Sequence, residues 1–361
     1  MHKSFSVENF RSFDKLSIKQ LKRINLIAGK NNVGKTTLLE ALWLHHGYHN
    51  PELGLRLRVF RGLDKLKKDE FLWDMFSGFD SRKTIELSSR DHSGGTRSLR
   101  IMMQEHPTTR ISLREHSLNG NGREILPTEI IEQETTVPIE SRMFLDYTNA
   151  SGKNIQAYAD VEADSIRFER PSGVKVPSGI FLAARGGESW GTLIERFSNL
   201  AVDNEEGKII QILKIIEPRL KGLTVQHRGG SPVIYGDIGM KRRMPLPLMG
   251  DGTGRLLGIA LAIAEAKDAL LLIDEIENGL HYTVMEKVWG GIAELAREYN
   301  VQIFATTHSE ECLRAAHQAF SIDEEYDFAL HRLERVKGEI KAVTFSQESL
   351  DAAIEMDAEV R

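Results

Sequence analysis

Two clusters in this sequence have residue types and spacings suited to chemistry on phosphates. Gly29-Lys30-Asn31-Asn32-Val33-Gly34-Lys35-Thr36 fits the pattern G-x-x-x-x-G-K-[ST], and it stands between an apolar run, Ile24 to Ala28, and a leucine-rich segment with helical spacing. Glycines at 29 and 34 let the backbone N–H groups of the loop, Asn31 and Asn32 included, converge on phosphate oxygens. The start of the helix adds a partial positive charge. Lys35 would bridge the β- and γ-phosphates, the Thr36 hydroxyl would ligate Mg²⁺, and Thr37 would donate to an α-phosphate oxygen. The second cluster is Asp274-Glu275, at the end of the apolar run Ala269 to Ile273. Two acids at a strand end are a weak signal alone. Beside a phosphate loop they read as a carboxylate that holds Mg²⁺, Asp274, and a general base that polarises water, Glu275.

Two further segments fall into line with these. Gly250-Asp251-Gly252-Thr253-Gly254 opens a helix, Leu256 to Ala264, whose apolar residues cover nearly its whole circumference. Such a helix is buried along its body, so its N-terminus, with Thr or Asp as cap, is the end left to meet an anion. A strand, Val301 to Ala305, ends in Thr306-Thr307-His308-Ser309, where His308 can donate to a γ-phosphate or to the attacking water. Alone, His308 would read as a structural histidine; the order of the motifs is what assigns it.

The elements that must position these residues follow from periodicity. Short strands at Phe5 to Val7 and Leu16 to Ile18 precede the phosphate loop, and the helix after it runs from about Lys35 to Leu44. Residues 51–80 read as a helical excursion. From Lys83 to about Ile180 the period becomes two, at Thr84 to Leu87, Leu99 to Met103, Met143 to Tyr147 and Ile155 to Val161, with turn clusters such as Asn119-Gly120-Asn121-Gly122 between them. That reads as an antiparallel β lobe inserted into an α/β domain. Beyond about Met249 helix and strand alternate, the arrangement that builds a parallel sheet. The expected organisation is a head made of residues 1–50 and 181–361, with 51–180 inserted.

Composition narrows the classes. The chain has 361 residues, 41% hydrophobic and 27% charged, enough for a large core. No apolar run approaches the roughly 18 to 20 residues of a membrane span, and the start lacks a signal-peptide core, so the expectation is a soluble cytoplasmic protein with no membrane partner. Cys312 is the single cysteine, which leaves metal chemistry to oxygen or histidine ligands. A net charge of -5 gives no overall basic field. The runs Arg56 to Arg61, Lys65 to Lys68 and Lys241-Arg242-Arg243 read first as solvated surface, with nucleic acid admitted as a partner. His45, His46 and His49 read as a solvated helix end rather than a metal site, and Phe71, Trp73 and Phe76 as local core.

These motifs resemble those of the RecF/SMC-like ABC ATPases, and within them the OLD-like AAA ATPases. The resemblance rests on Val7-Glu8-Asn9-Phe10-Arg11-Ser12-Phe13, Gly29 to Thr37, Gly250 to Leu257, Asp274 to His281 and Thr306 to Ser309. It implies a P-loop NTPase of ABC type that sandwiches Mg-ATP between two copies. Gly250 to Gly254 of one chain would close the other's site, and Ile276 to His281 would form the D-loop. It also implies Arg11 near the nucleotide and coupling to nucleic acid or to a separate effector such as a nuclease, in phage defence or DNA repair. The chain departs from the resemblance in having no Toprim nuclease segment after His308, no coiled-coil arms and no recognisable loop glutamine for Mg²⁺; Arg185 lies in the region where that element belongs. Two other classes compete: a DNA clamp of RecF type whose grip ATP controls, and a transporter's cytosolic ATPase subunit, which the altered glycine segment and the β insertion disfavour.

Overall fold

The computed structural model describes residues 1–63, 73–105, 110–112, 135–137, 139–162, 165–174, 179–184, 188–322, 326–356 and 360. In chain order its elements are β1 (His2–Phe10), β2 (Phe13–Lys19), β3 (Ile24–Ala28), α1 (Lys35–His46), α2 (Leu53–Phe60), β4 (Ile85–Asp91), β5 (Thr96–Glu105), β6 (Arg110–Ser112), β7 (Thr135–Val137), β8 (Ile139–Thr148), β9 (Asn154–Glu162), β10 (Ile166–Glu169) and β11 (Gly179–Leu182). There follow α3 (Trp190–Val202), α4 (Glu206–Leu213), β12 (Gly222–Arg228), β13 (Ser231–Asp237), β14 (Met244–Pro245), α5 (Asp251–Glu265), β15 (Leu270–Ile273), α6 (Met285–Glu298), β16 (Gln302–Thr306), α7 (Glu310–Ser321), β17 (Phe328–Val336), β18 (Glu339–Phe345) and α8 (Gln347–Glu355).

The central sheet has six strands in the order β11-β15-β16-β3-β17-β18, parallel except for the terminal hairpin strand β18. β15 is an unbroken apolar run, and β3 and β16 are buried throughout, because both faces are covered there. Ile24, Leu26 and Ala28 of β3 pack into one core, beneath α3 to α7, while Ile27 packs into the other. β15 divides in the same way, Leu271 and Ile273 against Leu270 and Leu272.

The second core lies between that sheet's other face, α1 and a seven-stranded antiparallel sheet in the order β10-β9-β8-β5-β4-β1-β2. The stretches with period two are strands of an antiparallel sheet, and that sheet also takes in β1 and β2. β4 pairs along β1, from Glu8 opposite Glu86 to His2 opposite Asp91, so β4, β5, β8, β9 and β10 extend the sheet begun by β1 and β2, while β6 and β7 form a pair of their own. α5 is buried from Leu256 to Ala264, as its composition requires. The sequence Asn119 to Gly122, Lys65 to Lys68, Phe71 and Arg185 lie outside the described residues. Among the described residues no helix is long and apolar enough to cross a membrane.

Candidate functional site

Parallel pairing puts the carboxyl ends of β15, β16 and β3 side by side, with Ile273 opposite Ala305 and Thr306 opposite Ile27. This edge is where parallel sheets hold ligands. The residues that follow those strands, Asp274-Glu275, Thr307-His308 and the 29–36 loop, therefore meet although 238 positions separate Thr36 from Asp274 and 273 separate Lys35 from His308.

The loop has the shape of a phosphate cradle. Gly29 has φ +139 and a Cβ there would come 2.4 Å from the Leu333 carbonyl oxygen; Gly34 has φ +89 and a Cβ would come 2.7 Å from the Phe13 ring. A side chain fits at neither position. Lys35 is 6% exposed, and its Nζ donates to the carbonyl oxygens of Gly29 at 2.6 Å and Lys30 at 3.0 Å, folding the ammonium back over the loop. Burial lowers its pKa, opposed by the charges of Asp274, Glu277 and Glu275. Lys35 Nζ also lies 3.3 Å from His308 Nδ1. With the ammonium as donor, that nitrogen accepts, which puts the ring proton on Nε2, 3.6 Å from Glu275 Oε1.

Thr36 Oγ1 donates to both Asp274 oxygens, at 3.0 and 3.1 Å, and Thr306 Oγ1 donates to Asp274 Oδ1 at 2.6 Å. Burial pushes the Asp274 carboxyl up, and the two hydroxyls pull it down. A hydroxyl and a carboxylate at this separation are hard oxygen donors of the kind Mg²⁺ takes, so the pair fits that ion. Glu275 is half-exposed, with φ +48; its N–H donates to Thr306 Oγ1 at 2.8 Å. Ser12, Asn31, Asn32, Gly34, Lys35, Thr36, Thr37, Arg61, Glu275 and His308 line one cleft of about 600 Å³.

Several expected residues lie elsewhere. Arg11 is not in the cleft: its guanidinium pairs with Glu40, on the buried side of α1. Gly250, Asp251, Gly252, Thr253 and Gly254 line none of the cleft of their own chain. Their helix starts on Gly250 with no side-chain cap, and Thr253 is 1% exposed with its hydroxyl turned back to the Met249 carbonyl, so neither Thr nor Asp caps it. His45 and His49 are buried rather than solvated, and among the described residues no three or more His, Cys, Asp or Glu side chains come together as metal ligands. Phe76 is core, whereas Trp73 is half-exposed.

Arg61, which the sequence groups with a surface run, reaches the cleft: it holds both Glu40 oxygens, at 2.7 and 2.8 Å, and touches Thr37 Oγ1 at 3.4 Å. Within the same run Arg56 pairs with Glu52 and buried Arg58 with Asp74. Lys241, Arg242 and Arg243 are exposed. Thr306 is a second residue that sequence reasoning left without a role; its signal was a hydroxyl one step beyond an apolar strand.

Two family models match the chain: "AAA ATPase domain" over residues 1–90 and "AAA domain, putative AbiEii toxin, Type IV TA system" over residues 144–314. A Helicobacter pylori protein described as an ATP/GTP phosphatase is 25% identical over 354 residues, covering 91% of this chain and 90% of that protein. Among solved structures, an SMC head bound to the C-terminal winged-helix domain of ScpA superposes with a TM-score of 0.51 at 14% identity, over 98% of this chain and 99% of that one. The SMC head of Thermotoga maritima gives 0.45 at 15% identity, over 96% and 99%.

Proposed function

We propose that this chain, a P-loop ATPase of the ABC type with an SMC-head-like fold, binds Mg-ATP between two copies of itself and uses hydrolysis to switch a separate effector. The observation that carries the dimer is the incompleteness of the cleft: one chain supplies Lys35, Thr36, Asp274, Glu275 and His308, but the glycine-rich tip of α5 lines none of it. A second copy, related by two-fold symmetry, would bring that tip over the γ-phosphate. Binding energy for the nucleotide then becomes association energy.

In this reading the loop amides and Lys35 hold the triphosphate, and the Thr36 hydroxyl and Asp274 hold Mg²⁺. The metal, when bound, would neutralise charge on the β- and γ-phosphate oxygens. Glu275 takes a proton from the attacking water as its oxygen bonds to the γ-phosphorus, and the bond from that phosphorus to the β–γ bridging oxygen breaks, giving ADP and phosphate. His308 donates from Nε2 to the γ-phosphate or the water. Phage defence or DNA repair is the setting we favour, with the effector on another polypeptide such as a nuclease. The resemblance to OLD-like and RecF-like ATPases supports that setting, and it is argued by analogy.

The test is the mass in solution with Mg-ATP. Glu275→Gln should form a long-lived dimer and hydrolyse at least 100-fold more slowly than wild type, since it keeps the cradle and loses the base. Lys35→Ala should lose nucleotide binding. A monomeric Glu275→Gln at saturating ATP would refute the sandwich, and hydrolysis equal to wild type would refute the base.

A further inference from the structure

The turn after the acidic pair has no part in the reaction above, yet Glu277, Asn278 and Gly279 each touch a different working part of the site. Asn278 Nδ2 donates to Glu275 Oε2 at 2.8 Å. Glu277 Oε1 accepts from the His308 N–H at 2.7 Å. The Gly279 carbonyl oxygen is so close to Gly252 that a Cβ on Gly252 would come 2.8 Å from it, which places the turn against the tip of α5.

The backbone of Glu275 is already fixed. Its φ of +48 is one that side-chain-bearing residues rarely adopt and that persists only where the surroundings enforce it. Here the Glu275 N–H donates to Thr306 Oγ1, and its carbonyl accepts from Arg255 Nη2 at 3.2 Å. What remains is to aim the side chain. A half-exposed glutamate with several rotatable bonds would otherwise spread over several rotamers. With Oε2 held by the Asn278 amide, Oε1 is the oxygen left facing His308 and the cleft. The turn itself does not need that amide, because the Asn278 N–H already closes it on the Glu275 carbonyl at 3.1 Å.

We infer that Asn278 is a positioning residue for hydrolysis: it selects the rotamer in which Glu275 can receive the proton of the attacking water. The inference rests on Glu275 as the base. Because the same turn abuts Gly252, it also ties the aim of the base to the α5 tip that a second copy would present its nucleotide to.

Three variants and two readouts test it. Asn278→Ala removes the donor, Asn278→Asp keeps the shape but sets a carboxylate against Glu275, and Asn278→Gln keeps an amide. Expected kcat values fall in the order Gln, Ala, Asp, with Ala about tenfold below wild type. Affinity for a fluorescent ATP analogue and the melting temperature stay within twofold and about 2 °C of wild type, and the ATP-bound dimer lives longer. If kcat stays within twofold of wild type in both Ala and Asp, or if Gln is no better than Ala, the assignment falls. A loss of affinity that tracks a fall in melting temperature also overturns it, since that is the mark of a structural role. Wild-type hydrolysis distinguishes the two failures: if wild type does not turn over ATP, the proposed function fails; if it does and the variants match it, only Asn278 does.

Discussion

Glu40 illustrates what single residues do here. It sits on α1, 1% exposed, with the guanidiniums of Arg11 and Arg61 on its carboxylate. The resemblance implies Arg11 near the nucleotide, and the basic run reads as placing Arg61 on the surface. The structure brings Arg61 to the cleft and sets the Arg11 guanidinium on the same Glu40 carboxylate. No local pattern could reveal this: the pairings span 29 and 21 positions, and a glutamate within an apolar helix looks like its one solvated residue. Removing one partner of a buried ion pair strands the others. Glu40→Ala should therefore cost about 3 kcal/mol in urea unfolding; a loss below about 1 kcal/mol would mean that water already screens the cluster.

Elements were legible where their burial is one-sided or complete. β3, β15 and β16 are buried on both faces and so are mostly apolar; β4, β5, β8 and β9 alternate; α5 is apolar all round. What could not be read was which strand lies beside which, since β1 and β4 join residues about 80 positions apart and alternation is the same for any neighbour. Buried histidines were misread for a related reason, because a helix end rich in His looks solvated until a sheet packs over it. At this scale α7 also matters to the site. Ser309, its cap, accepts from the Cys312 N–H at 3.0 Å immediately after His308. Ser309→Ala should cost about 1 kcal/mol in stability and lower kcat more than nucleotide affinity, by loosening His308. Unchanged turnover in that variant would separate the cap from the catalytic strand end.

Acid should act on the molecule as a whole. Burial lowers the pKa of His45 to about 3, of His331 to about 3 and of His46 to about 4, from an ordinary 6.5. Between those values and 6.5 the unfolded chain binds protons that the folded one does not, so stability is complete above about pH 6.5 and is lost as pH falls towards 4 and 3. Each histidine contributes a slope of about 1.4 kcal/mol per pH unit in that window. Denaturation midpoints at pH 7, 6 and 5 should therefore fall steadily, whereas a flat profile would show that these rings are reached by water.

The contact of Gly29 with the Leu333 carbonyl has a consequence in time. The strand that leads into the phosphate cradle is flanked by residues 302–306 on one side and 328–332 on the other, so its walls come from segments far later in the chain. A nascent polypeptide emerging from the ribosome would expose Gly29 to Thr36 long before those walls exist. Nucleotide capture should thus begin only after residues 302–332 have been synthesised, which keeps shorter nascent copies out of any assembly that ATP drives.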